Sequence, residues 1–355
     1  MLTSARKKLA ASLRPFIRDF AAEIVHRTHL ADPARWAQHK LTIATFHRVL
    51  PAAELAMYPM PGLVVTPEEL DWLLDLFTKH YTAGTLGEMA TRFALGDRPE
   101  KPLLAITFDD GQRDNHRHAY DVLASHGVHA SFFVVADATE RDTTLWHDRV
   151  GYALQTPAAG SHSRARAAAS ATSLLGSVGV DIADHNVVHS CVSRLKRMTP
   201  EQRDVFIDEL ELLTGGAQRP AWDGMMSWRE LKELHQEGHE IGSHSQSHAI
   251  LPLVSDAQLE REVAGSRAHL KRQLGFEIDT FCYPNGDCDA RVAAAVERAG
   301  YRHAVTTRYG INDSDTSHYL WKRCDMQGQH ARSARGKFSE GRMLLRLSGW
   351  LPSMA

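Results

Sequence analysis

The chain has 355 residues, 43% hydrophobic and 24% charged, with a formal net charge of -2 when its 21 histidines are neutral. That composition belongs to a soluble globular protein, long enough for one barrel-sized domain or two ordinary ones, and it supplies no global positive field for nucleic acid. The four cysteines (Cys191, Cys282, Cys288 and Cys324) form no C-x-x-C pair, so neither a zinc knuckle, a thioredoxin-type site nor a disulfide framework is indicated.

Residues 1–38 read as a basic amphipathic helical lead. Leu9, Leu13, Phe16, Ile17 and Phe20 fall at helical spacing beside Arg6, Arg14 and Arg18. Such a helix packs on the body of the protein or rests on an anionic membrane surface. The charges interrupt any signal-peptide core, and no apolar run reaches the roughly 18 residues of a membrane span. The expected location is therefore cytoplasmic, with peripheral membrane contact open. Residues 331–355 repeat the basic amphipathic theme with Arg342, Leu344, Leu345, Arg346, Leu347 and Trp350.

Between these ends, strands and helices alternate. Leu41–Phe46 reads as a strand. Thr66-Pro67-Glu68-Glu69 is a capping box with proline in the first helical position, opening a helix that carries Leu70, Leu73, Leu74 and Phe77. Leu103–Phe108 is a short apolar run of the kind that becomes a buried parallel strand. Further strands are read at 130–135, 239–243, 281–283 and 303–307. Helices open at the Ser227 and Ser255 caps and at Asp289, and glycines 238, 275 and 300 stop them. Strand–helix units with short turns imply a parallel sheet, open or closed into a barrel. Residues 141–221, rich in alanine, serine and glycine, break the rhythm and read as an insertion, part helical and part mobile.

Three segments can carry chemistry, each at a predicted strand end. Thr107-Phe108-Asp109-Asp110-Gly111 places two carboxylates where α/β proteins build sites. Neighbouring side chains point different ways there, so one can hold a metal while the other acts as a base; the plainer reading is an ordinary Asp-Gly turn. In Gly242-Ser243-His244-Ser245-Gln246-Ser247-His248 the two imidazoles are four residues apart, and on one helical turn they would share a face and an ion. Phe281-Cys282-Tyr283-Pro284-Asn285-Gly286 is a turn whose backbone N–H groups could face an oxyanion. A fourth segment, His235-Gln236-Glu237-Gly238-His239, mimics a metal motif, but Gly238 should end the helix between its histidines.

Together and in this order, these segments resemble the polysaccharide deacetylase family, carbohydrate esterase family four with the NodB homology domain. Residues 107–111 match its T-F-D-D-G motif and residues 244–248 its H-[ST]-x-x-H motif. The resemblance implies a distorted (β/α) barrel with fewer than eight complete units over residues 39–330. It implies a hydrolase that removes N-acetyl groups from an amino-sugar-containing glycan, in a branch tied to exopolysaccharide or glycan biosynthesis. Asp109 looks like the general base, and Asp110, His244 and His248 look like the ligands of a divalent metal, usually zinc, with cobalt, nickel or manganese accepted by relatives. Tyr283, Pro284 and Asn285 look like the substrate and oxyanion contacts. The third motif departs from R-x-P-Y-G: Cys282 stands where an arginine usually orients the base, and Arg323 is the candidate substitute. The late leucine–histidine motif that supplies the acid is not recognisable. His47, in Thr45-Phe46-His47-Arg48-Val49, is the candidate acid or substrate contact. The expected partner is an N-acetylated glycan, not nucleic acid, with a membrane surface or glycan-assembly complex open as a further contact. A glycosidase using the aspartate pair, or an inactive glycan-binding homologue, is the alternative.

Overall fold

The computed structural model describes residues 19–28, 30, 32–155, 163–216 and 218–349. Its strands are β1 (Leu41–Phe46), β2 (Arg48–Val49), β3 (Val64–Val65), β4 (Thr82–Gly84), β5 (Leu103–Phe108), β6 (Ser131–Val134), β7 (Glu240–Ser243), β8 (Thr280–Cys282), β9 (His303–Tyr309) and β10 (Trp321–Asp325). Seven of them, in the order β1-β5-β6-β7-β8-β9-β10 with β10 returning to β1, close a parallel barrel. β4 lies beside the first half of β5, and β2 pairs with β3 outside the barrel. This is the distorted (β/α) barrel that the family resemblance implied, and it settles the open or closed sheet that the strand–helix alternation left undecided.

The strands are apolar because both of their faces are buried. All six residues of β1 and of β5 are inaccessible. Alternate positions serve different cores. Ile43, Ala105, Phe133, Cys282, Val305 and Trp321 fill the barrel interior, while Leu104, Ile106, Phe108 and Phe132 pack under the surrounding helices. The parity that sends Leu103 and Ala105 inward also brings Thr107 and Asp109 to the inner face at the carboxyl end.

The helices begin as their sequences require. Pro67–His80 and Trp228–Gln236 open on complete capping boxes at Thr66 and Ser227, and Ala290–Arg298 is capped by Asp289. Of the amino-terminal lead, residues 19–28, 30 and 32–38 are described, with helical turns at 19–27 and Pro33–Trp36. There Asp19 pairs with Arg342 at 2.9 Å, and Ala22 is buried against Gly341 of the helix Glu340–Leu347. Leu9, Leu13, Phe16, Ile17 and Trp350 lie outside the described residues. Among those described, no helix is long and apolar enough to cross a membrane.

The described part of the insertion is a helical layer with a core of its own, in keeping with the helical part of the expectation. Trp146–Gln155, Ser163–Ser177, Val187–Leu195 and Pro200–Thr214 meet around Val150, Leu175, Cys191, Leu195, Phe206 and Leu210. It is fastened to the barrel by a buried charge cluster. Arg48 binds Asp114 at 2.9 Å and Asp223 at 2.6 Å, and reaches Asp148 at 3.8 Å. Tyr58 donates to Asp148 and Tyr152 to Asp223.

Three carboxylates share that one guanidinium. Burial pushes the Asp148 carboxyl up; the Arg48 charge opposes this, but the charge of Asp223 adds to it. A carboxyl raised in the folded state keeps its proton where the unfolded chain has lost it, so its contribution to stability falls as pH rises from the ordinary carboxylate pKa of about 3.9 towards the raised value. Chelator-treated protein is therefore expected to be easier to unfold with urea at pH 8 than at pH 5, and Asp148→Asn should flatten that slope. An identical slope in both proteins would remove the assignment.

Candidate active site

The candidate residues lie at or just beyond the carboxyl ends of barrel strands, except Arg323 in the middle of β10. His47 follows β1, Asp109 and Asp110 follow β5, His244 and His248 follow β7, Tyr283 to Asn285 follow β8, and Arg323 belongs to β10. All of them except Pro284 line one cavity of about 970 Å³. Asp110 and Gly111 take positive φ (74° and 77°), which turns the chain abruptly at the strand end. A Cβ on Gly111 would meet Val134 at 2.9 Å, so glycine is required there by space as well as by conformation.

Asp109 is clamped by Arg323. The guanidinium donates from Nη1 to Oδ1 at 2.8 Å and from Nη2 to Oδ2 at 2.7 Å, a two-pronged geometry with both residues buried. The same guanidinium donates to Thr306 O, Thr45 Oγ1, Thr107 Oγ1 and Cys282 Sγ. An arginine from β10 thus fills the space beside the small Cys282 side chain. Burial works to raise the pKa of Asp109, but the charge and hydrogen bonds of Arg323 outweigh it, and the carboxyl sits below its ordinary range. His47 Nε2 lies 3.8 Å from Asp109 Oδ2, adjacent to it without a hydrogen bond.

Asp110 faces the histidine pair. Its Oδ1 is 3.5 Å from His244 Nε2 and 3.4 Å from His248 Nε2, and one ligand atom from each of the three residues falls within 4.8 Å of the others. Burial again acts to raise the carboxyl pKa, and the two imidazoles reverse it, leaving Asp110 well below its usual range. The histidines do not converge on a helical turn, as the four-residue spacing suggested. Residues 244–248 form an irregular loop in which Ser245 and His248 have positive φ (66° and 60°). Glu262 holds that loop by accepting from the Gln246 and Ser247 N–H groups and the Ser247 hydroxyl, while the Ser245 hydroxyl accepts from His248 N–H. Gly242 makes the approach possible, because a Cβ there would meet the Phe133 ring at 2.6 Å.

This donor set fits a divalent ion. His244 Nδ1 donates to Cys282 O at 2.7 Å, so Nε2, which faces Asp110, is the atom that would bind an ion in place of its proton. His248 Nδ1 instead receives the Trp146 indole N–H at 3.1 Å. Indole only donates, so an ion at His248 Nε2 requires the ring proton to move to Nδ1 and the Trp146 contact to give way. A second triple, Asp109, His244 and Cys282, also lies within reach of one ion. It is the poorer set, since burial pushes the Cys282 thiol up and Arg323 occupies Asp109.

Tyr283 is buried and its hydroxyl donates to Tyr319 O. Pro284–Gly286 is a tight turn with Asn285 in the left-handed region (φ 58°), its side chain bonded to Asp287. His235 and His239 do not share a site: His235 stacks on Phe276, and His239 accepts from Ala130 N–H. The sequence reading missed His147 and Trp146, which the insertion delivers to the same cavity. Burial holds the His147 imidazole neutral, pushing its pKa down to about 3. Their only signal was Leu145-Trp146-His147-Asp148, chemistry-bearing residues soon after a barrel strand.

The closed parallel barrel thus carries, at its carboxyl end, a carboxylate and two imidazoles converging beside an arginine-clamped aspartate. The chain belongs to the polysaccharide deacetylase family, whose model matches residues 96–304, more than half of the sequence. The chain is 21% identical over 271 residues to YxkH of Bacillus subtilis strain 168, covering 76% of this chain and 67% of that protein. Its fold is similar to that of the Streptococcus pyogenes deacetylase PplD in complex with acetate, with TM-score 0.57 and 18% identity, covering 87% of this chain and 98% of that one. It is also similar to IcaB from Ammonifex degensii, with TM-score 0.53 and 16% identity, covering 87% and 97% of the two chains.

Proposed function

We propose that this protein is a metal-dependent deacetylase that removes N-acetyl groups from an amino-sugar-containing glycan, releasing acetate and leaving a free amine. One observation carries the reading: a buried carboxylate held by two prongs from Arg323 stands next in sequence to a second carboxylate that faces two imidazoles, all in one cavity. Asp110, His244 and His248 would hold the ion, and their mixed carboxylate and imidazole chemistry suits zinc and its first-row neighbours cobalt, nickel and manganese. Such an ion, when bound, supplies Lewis acidity that polarises the acetyl carbonyl and acidifies a water.

Asp109 accepts the proton of the attacking water as its oxygen bonds to the carbonyl carbon. Arg323 keeps that carboxylate ionised and aimed. The Asn285 backbone N–H and the Tyr283–Pro284 turn border the developing oxyanion. As the C–N bond breaks, His47 delivers a proton to the departing amine. Assigning both aspartates to a glycosidase has less support, since Arg323 engages one and the histidines the other.

The test is acetate release from a panel of N-acetylated glycans, with and without a chelator. Chelator-sensitive acetate release supports the reading; reducing ends released without acetate would favour the glycosidase. A further expectation concerns pH. Because Arg323 lowers the pKa of Asp109, Arg323→Gln should raise it and move the acid limb of kcat/KM to higher pH. An unmoved limb would separate Arg323 from the base.

A further inference from the structure

The insertion brings a third imidazole to the metal-binding triad. His147 lies near the start of the helix Trp146–Gln155, is buried, and lines the active-site cavity. Its Nε2 is closed off from solvent and has no hydrogen-bond partner among the described residues. The nearest carboxylate oxygens are Asp110 Oδ2 at 3.7 Å and Asp148 Oδ1 at 3.8 Å, both beyond hydrogen-bonding distance. Asp148 is held from elsewhere: Oδ1 accepts from the Tyr58 hydroxyl at 2.6 Å and Oδ2 from Gln112 at 3.0 Å. A buried imidazole nitrogen left unpaired is costly, and such an atom in an active-site wall points to a ligand that supplies the missing bond.

Two features decide which ligand. The donor atoms that close within 4.8 Å of one another belong to Asp110, His244 and His248, or to Asp109, His244 and Cys282, and His147 is in neither set. It therefore stands beside the ion's place and outside its ligands. Each aspartate also has its own imidazole neighbour, His47 at 3.8 Å from Asp109 and His147 at 3.7 Å from Asp110. The two groups on an amide carbon, the nitrogen that leaves and the oxygen that gains charge, lie on different sides of it. With His47 on the side of the base, His147 is placed for the oxygen.

We propose that His147 is an additional active-site residue whose Nε2–H donates a hydrogen bond to the acetyl oxygen of the substrate and to the acetate product. This rests on the deacetylase reading above. It gives the helical insertion a part in the site, since His147 comes from the helix Trp146–Gln155 and lines the same cavity as the barrel residues.

The experiment uses the full-length protein loaded with cobalt(II), and the variants His147→Ala and His147→Gln. Metal affinity is measured by competition with a chromophoric chelator, and acetate affinity by calorimetric titration of the loaded proteins. The expected result is metal affinity within about threefold of wild type in both variants. Acetate binding should weaken about tenfold in His147→Ala, the worth of one hydrogen bond to a charged ligand, and recover in part in His147→Gln, whose amide N–H can donate. Equal acetate affinity in wild type and His147→Ala, with metal bound, overturns the proposal alone. A tenfold or larger loss of metal affinity in His147→Ala also overturns it, by making His147 a brace for Asp110. Failure of the wild type to take up cobalt overturns the deacetylase reading, and this proposal with it.

Discussion

Asp109→Asn is expected to lower kcat by about 10²- to 10⁴-fold, the range for loss of a general base, while metal content stays at the wild-type level. The amide is nearly the same size as the carboxylate and its Oδ1 can still accept one hydrogen bond from Arg323, so the site should keep its shape. It cannot take a proton from water. The substitution also leaves the Arg323 charge buried without its counter-ion, and removing one partner of a buried pair costs up to about 3–5 kcal/mol. That cost has a defined pH signature. The folded pKa of Asp109 lies below its ordinary value, so the stability it contributes is present above that ordinary value and is lost as pH falls through the lower folded one. The difference in melting temperature between wild type and variant should therefore be large at neutral pH and shrink in strong acid. Wild-type turnover by a folded, metal-loaded Asp109→Asn protein would end the assignment of Asp109 as base.

His244→Ala should remove metal binding together with activity. His244 is the ligand candidate whose geometry is most complete: Nδ1 is tied to Cys282 O and Nε2 faces Asp110. Loss of a residue that only supports a ligand costs about 10- to 100-fold in metal affinity, so loss of the ligand itself should exceed that. A chelator-competition titration with elemental analysis checks it. His235→Ala, whose ring stacks on Phe276 away from the site, serves as the control and should bind metal as wild type does. Stoichiometric metal at wild-type affinity in His244→Ala would displace the ion from the Asp110–His244–His248 site.

Much of this protein can be read locally. The apolar runs 41–46 and 103–108 are strands, the capping boxes at Thr66 and Ser227 open helices, and the carboxylates and imidazoles stand immediately after strands. Where the local reading failed, a longer-range constraint prevailed. A spacing of four suggested a helical turn for His244 and His248, but Glu262 and the left-handed Ser245 and His248 make it a loop. The composition of residues 141–221 indicated an insertion with helical parts, but the core those helices share through Phe206, Leu210 and their neighbours had no local signal. The distinction follows from how each feature arises. Strand period, helix caps and a dyad at a strand end depend on residues a few positions apart, so the sequence alone determined six of the barrel's seven strands, all but β10, and the acid and imidazole groups at their ends. The clamp of Arg323 on Asp109 joins residues 214 positions apart, and His147 reaches the cavity only because the insertion folds against the barrel. Those contacts depend on how the barrel closes and how the helical layer packs, and no local spacing encodes either, so only the tertiary structure decided them.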